Sequence, residues 1–298
     1  MIHPDPSFPA KILLFGEYTV LLGGEALAVP SALFSGHWAD GGTAEQQQQL
    51  REWAAYLQKT ATDGLIPADM LDMAQFKAAL ASGKYFDSSI PTGYGAGSSG
   101  ALCAGLLHTF GKVPNDASLP ELKKWLGVME SFFHGSSSGF DPLISYVNQP
   151  LLVKADGQIR QVAGSPAAFK LFLLDTGIPR QTAPLVAQFK SWCADPYFER
   201  RCREELGTFN AAAIEAWLMG EASELWPAFH EISWFQWRYL KPLIPAAIHD
   251  LWLEGLTSSD FKLKLCGAGG GGFMLGMWNA AGSLPEAIRA FPVYAVGM

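Results

Sequence analysis

The stretch PTGYGAGSSGAL, residues 91–102, carries four glycines and two adjacent serines ahead of an apolar run. Glycine gives up backbone entropy and packing area, so such a cluster has a geometric reason. Serine at a helix start supplies a cap, and the same helix end attracts anions. A phosphate cradle, a dinucleotide fingerprint and a capped turn all fit the composition. G-x-G-x-x-G is matched twice, by Gly95, Gly97 and Gly100 and by Gly267, Gly269 and Gly272. A dinucleotide fold needs strand, tight turn and helix, then a second strand ending in an acid. The first match is followed by a helix and then GKVPNDASLPEL, residues 111–122, which offers no buried strand. The second runs directly into FMLGMW, residues 273–278, a strand rather than a helix. No G-K-[ST] follows either, so a Walker A loop is absent as well. A phosphate nest remains beside the capped turn. Backbone N–H groups around Gly93, Gly95 and Gly97 can converge on an anion, and the hydroxyls of Ser98 and Ser99 can cap or ligate a phosphate-bound Mg²⁺.

Outward from this segment, KILLF (11–15) reads as a buried strand ended by Gly16, and 26–29 as another. Leu50, Trp53, Ala54 and Leu57 recur at helical spacing within 44–59, leaving Gln46 to Gln49 on a solvated face. Strands are expected at 84–90 and 150–154, and helices at 98–110 and 119–133. A boundary fits the turn-rich stretch 155–168. Beyond it come a strand at 170–175, a helix at 184–192, two or three aromatic-rich helices over 199–254, and strands at 261–266 and 273–278. Strands and helices mix in both halves, which points to two α/β or α+β layers. The expected domains are 1–160 and 161–298.

The 298-residue chain is 49% hydrophobic and 16% charged, the balance of a globular protein with a large core. Its net charge of −7 argues against non-specific nucleic-acid binding, which needs a basic face. Cys103, Cys193, Cys202 and Cys266 form no C-x-x-C pair and read as reduced thiols. Prolines interrupt the opening residues where a signal peptide needs its apolar stretch, and no apolar run approaches the roughly 20 residues that span a bilayer. A cytoplasmic protein acting on a small molecule is expected.

Phosphoryl transfer from ATP requires a phosphate nest, oxygen ligands for Mg²⁺, a carboxylate near the accepting hydroxyl and a nearby cation. ESFFHGSSSGFD, residues 130–141, offers two carboxylates around a polar turn, Glu130 near a helix end and Asp141 after it. One could serve the metal and the other the substrate proton; a solvated helix end followed by a turn aspartate fits the spacing equally well. His134 is expected to hydrogen-bond the backbone.

Three segments in order resemble the motifs of the GHMP kinase superfamily: PAKILLFGEYTVLLGGEALAV (9–29), PTGYGAGSSGAL and KLCGAGGGGF (264–273). Within it the chain is most similar to the mevalonate kinase branch, through Lys11, the Phe15-Gly16-Glu17 run, His134-Gly135, and Glu130 eleven residues before Asp141. TGIPRQTAPLV (176–186) resembles that branch's Pro-Arg-x-Thr segment. The resemblance implies an α+β, two-domain GHMP-kinase-like fold, with an N-terminal ribosomal-protein-S5-like α/β domain and a C-terminal ferredoxin-like α+β domain. It implies ATP-dependent phosphorylation of a small-molecule alcohol, mevalonate to 5-phosphomevalonate. A phosphomevalonate kinase or another GHMP kinase is the first alternative, and a non-catalytic nucleotide- or metabolite-binding homologue the second. It also implies a monomer or homodimer with no nucleic-acid or membrane partner.

By the same resemblance Asp141 and Lys11 are catalytic, and Ser99 and Glu130 hold Mg²⁺. Gly93, Gly95, Ala96, Gly97, Ser98 and Ser99 line the ATP phosphates, with Gly269 to Gly271 packing against that loop. Glu17, Tyr18, Ser138, Arg180 and Thr182 lie on the substrate side. The chain departs from the pattern at Ala10, Ala96, Gly100, Cys266 and above all Tyr18, where mevalonate kinases carry His and phosphomevalonate kinases often carry Tyr.

Overall fold

The computed structural model describes residues 6–163, 169–279 and 285–296. The strands are β1 (Phe8–Phe15), β2 (Ala26–Asp40), β3 (Lys84–Ser88), β4 (Leu151–Val153), β5 (Ile159–Gln161), β6 (Phe169–Asp175), β7 (Phe261–Leu265), β8 (Phe273–Asn279) and β9 (Val293–Ala295). The helices are α1 (Ala44–Thr62), α2 (Met73–Ala81), α3 (Ser98–Phe110), α4 (Leu119–His134), α5 (Phe140–Val147), α6 (Thr182–Trp192), α7 (Pro196–Arg201), α8 (Gly207–Met219), α9 (Ala222–Tyr239) and α10 (His249–Thr257). A π-helical turn, Cys202–Leu206, joins α7 to α8. Part of the expected boundary stretch, 164–168, lies outside the described residues.

The chain forms two compact units from interleaved segments. One holds the described residues up to Lys11 with Pro30–Pro91 and Gly97–Gln149; the other holds Ile12–Val29, Thr92–Ala96 and the described residues from Pro150 onward. In the first, β2 pairs antiparallel with β3 from Gly36↔Ser88 to Asp40↔Lys84. Its core gathers Trp38, Trp53, Phe76, Leu107 and Phe110, all buried. Both indoles satisfy their N–H groups there, Trp53 on Met129 O at 3.0 Å and Trp38 on Gly105 O at 3.1 Å, as buried donors must. Helix starts follow the sequence signals: Thr43 with Gln46, and Ser118 with Glu121, form capping boxes on α1 and α4. The glutamine run is less solvated than expected, because Gln47 Nε2 also donates to the carbonyls of Gly83 and Lys84 at 3.0 and 3.1 Å.

In the second unit an antiparallel sheet runs in the order β7-β8-β6-β9. Strand β7, FKLKL, is buried at every position, including both lysines. Lys262 Nζ donates to the carbonyls of Gly255, Leu256 and Ser258 at 2.9, 3.3 and 2.6 Å, satisfying the orphan acceptors at the end of α10. Lys264 Nζ meets Glu17 Oε1 at 2.5 Å, with the two side chains 0% and 2% exposed. Removing one partner leaves the other charge buried and unpaired, so Lys264→Met should cost about 3–5 kcal/mol. Glu17→Leu with Lys264→Met should recover most of that loss in a denaturant titration. A double variant as unstable as the single one would show that the pair is not the source of the effect.

Candidate active site

The predicted residues fall into two clusters, one in each unit. The first is built by α3, α4 and α5. Asp141 lies in the first turn of α5, past the polar turn that follows Glu130, and its Oδ2 stands 3.0 Å from Lys11 Nζ. The lysine is buried on β1, while the aspartate side chain keeps 34% of its surface open. The approach of α5 to α3 depends on Gly100, where a Cβ would lie 2.9 Å from the backbone of Asp141 and Pro142. On its other side Gly139, at φ +72°, leaves no room for a side chain, because a Cβ would come within 1.9 Å of Lys123 O. Gly97 N-caps α3 in the left-handed region and abuts the same pair, with its Cβ position 3.3 Å from Lys11 Cγ.

No side-chain cap is made at the start of α3, so the capped-turn reading of the two serines does not hold. Ser99 Oγ instead donates to Glu130 Oε1 at 2.7 Å. Ser137, which sequence reasoning missed, donates to Glu130 Oε2. Its signal was weak, one serine among three in a turn. His134 does not bond the backbone as expected; its Nε2 lies 2.9 Å from Ser99 Oγ. Ser138 Oγ accepts from Phe140 N at 3.3 Å, within the turn that starts α5.

Glu130 is a buried carboxyl, 5% exposed. Burial, with the negative charge of Asp141, pushes its pKa up to about 7, against the hydrogen bonds from Ser137 and Ser99 and the charge of Lys11. A buried carboxylate with this unmet demand for positive charge, beside a serine hydroxyl, is a hard-oxygen donor pair. It suits Mg²⁺, a cation that ordinarily takes one or two protein oxygens and completes its shell with phosphate and water. Among the described residues no group of three or more His, Cys, Asp or Glu could hold a metal ion by itself.

The second cluster contains Gly93, Gly95, Ala96, Arg180, Thr182, Glu17, Tyr18, Gly269 and Gly270. Arg180 N donates to Gly93 O at 3.0 Å, its Nη1 to Thr182 Oγ1 at 2.8 Å and its Nη2 to Cys266 O at 3.3 Å. The guanidinium therefore lies against both glycine turns. Tyr18, at φ 66°, is buried, stacks on Phe189 at 4.3 Å and donates its hydroxyl to Ala268 O at 2.6 Å. Burial pushes its phenol well above the usual range. The expected packing of Gly269 to Gly271 on the second motif is displaced by one step. Gly272 is the residue whose Cβ position approaches Tyr94 within 2.8 Å, whereas Gly270 N bonds Leu243 O. None of the four cysteines forms a disulfide among the described residues. Among the described residues no helix is long and apolar enough to cross a membrane.

Residues 54–149 match the family model described as GHMP kinases N terminal domain. The chain is 29% identical to mevalonate kinase of Bos taurus over 208 residues, 62% of this chain and 52% of the bovine protein. It thus spans about half the length of the curated relatives it matches. Among solved structures, L. major mevalonate kinase in complex with R-mevalonate superposes with a TM-score of 0.64 at 18% identity, covering 97% of this chain and 89% of that one. Streptococcus pneumoniae phosphomevalonate kinase in complex with phosphomevalonate and AMPPNP gives 0.66 at 14% identity, covering 99% and 100%. The chain has the α+β fold of those solved kinases.

With the Glu130 pKa raised, the native state keeps a proton that the unfolded chain has already lost between pH 4.5 and about 7. Stability therefore falls as pH rises through that window, by up to about 3 kcal/mol for this group. Glu130→Gln should match wild type near pH 4.5 and be the more stable protein at pH 8. A stability difference that stays constant with pH would show that the carboxyl ionises in the fold as it does in water.

Proposed function

We propose that this chain, whose residues 54–149 match the GHMP kinase N-terminal domain, is an ATP-dependent small-molecule kinase whose acceptor is mevalonate. The observation that carries the reading is the Lys11–Asp141 bridge of 3.0 Å, set beside Gly97 and the Ser99–Glu130 pair. Asp141, the more open of the two, accepts the proton of the acceptor hydroxyl as that oxygen bonds to the γ-phosphorus and the bond to the ADP oxygen breaks. Lys11 steadies the oxygen as it takes on charge and keeps the aspartate oriented. Ser99 and Glu130 would hold Mg²⁺, which when bound neutralises charge on the transferring phosphate. Backbone N–H groups of 97–99 at the start of α3 receive phosphate oxygens; in the second unit Arg180 braces the glycine turn through Gly93 O. Positioning and charge supply most of the acceleration, since the reaction asks for no covalent intermediate.

The competing acceptor is phosphomevalonate, and Tyr18 favours it. Its hydroxyl is engaged by Ala268, so the phenol at this position serves the third glycine motif rather than standing free. A reading as a cytoplasmic enzyme of isoprenoid synthesis, working as a monomer or homodimer, goes with either acceptor.

ADP release should be measured against mevalonate, phosphomevalonate, galactose and homoserine. Turnover with mevalonate is expected to exceed the others by an order of magnitude or more; a preference for phosphomevalonate would support the competing reading. Release with none of the four would point to a binding protein. Asp141→Asn should lower kcat by roughly 10²–10⁴-fold, the usual range for losing a general base, while nucleotide affinity stays within about twofold. Turnover near wild type would remove Asp141 from the chemistry.

A further inference from the structure

The hydroxyl of Ser99 is more fully specified than a metal ligand alone requires. Glu130 and His134 stand four residues apart on α4, a spacing that puts both on one helix face. Both reach Ser99 Oγ, at 2.7 Å from Glu130 Oε1 and 2.9 Å from His134 Nε2. A hydroxyl has one proton and two acceptor lone pairs. Ser99 spends its proton on Glu130 Oε1, so His134 must be the donor to Ser99, with Nε2 carrying hydrogen. One lone pair is filled and one is left, its direction fixed by the two bonds already made. The second Glu130 oxygen is likewise engaged, by Ser137, so the carboxylate that anchors this arrangement is itself held at both ends.

We propose that His134 is a positioning residue that holds the Ser99 hydroxyl with its remaining lone pair turned toward a divalent cation. This rests on the phosphoryl-transfer reading above and extends it to a side chain that needs to touch neither nucleotide nor acceptor. Groups one step behind a metal ligand commonly change metal affinity by about 10–100-fold. The Gly97 cap makes the arrangement available, because α3 places no claim on the hydroxyl.

The test is Mn²⁺ binding to the full chain with AMPPNP, read from the spin resonance of free Mn²⁺, alongside nucleotide binding in EDTA and the melting temperature. His134→Ala should weaken Mn²⁺ binding about tenfold while leaving metal-free nucleotide binding and melting unchanged. His134→Gln, whose amide N–H can donate, should recover most of the affinity. Ser99→Ala with His134→Ala should bind no more weakly than Ser99→Ala alone. If Ser99→Ala is impaired but His134→Ala is not, or if Gln serves no better than Ala, the role of His134 is overturned. If Ser99→Ala binds Mn²⁺ as wild type does, the cation site itself fails, and the reading beneath it fails too.

Discussion

Three helices of the first unit meet backbone against backbone at Gly100 and Gly139, and the placement of its carboxylates depends on that approach. A side chain at either position would collide with main-chain atoms of Asp141 and Pro142 or of Lys123. Main chain in a packed interior yields less readily than the tip of a flexible side chain. The start of α5 is thereby held against α3, which brings Asp141 to Lys11 and leaves Glu130 enclosed between serines. At Gly100 the absent side chain leaves that room to the backbone of Asp141 and Pro142.

That enclosure sets a folding cost against a chemical use. Glu130 would be more stable as an amide at neutral pH, and Lys264 with Glu17 could in principle be replaced by apolar residues of similar volume. Local rules of stability are commonly broken where a site needs a specific charge in a fixed place. Glu17 and Lys264 fall within the first and third motif segments, and Glu130 bonds Ser99 of the second.

Much of this was readable from residues alone. The helix at 98–110 was delimited to the residue, because its apolar run is bracketed by glycines at both ends. Lys11, Ser99, Glu130 and Asp141 were singled out by spacing and resemblance, and the fold brings all four into one cluster. Other features had no local signal. Alternating lysines in FKLKL carry no local sign of burial, because their partners, Glu17 and the end of α10, are set by tertiary contact. Asp141 looked like a turn residue because Pro142 and the glycines before it are ambiguous between a turn and a helix start. Ser137 could not be ranked above its neighbours, and His134 was singled out without its partner Ser99, since such a hydrogen bond leaves no trace in a single sequence. Tyr18 was legible as a departure; its bond to Ala268, 250 residues away, was not.

The interleaving of the two units also bears on how the chain can be divided. Residues 12–29 and 92–96 lie in the N-terminal half by number but pack with the C-terminal half. A cut between 149 and 150 would strand both insertions without their partners and strip the remaining piece of Glu17, whose absence leaves Lys264 buried and unpaired. Dissection into separately expressed halves, the ordinary way to assign activities in a two-domain protein, is therefore closed to this one. Complementation would need a permuted chain whose ends open in a surface loop, and the turn around Gly157 is a place where the backbone is exposed enough to allow it.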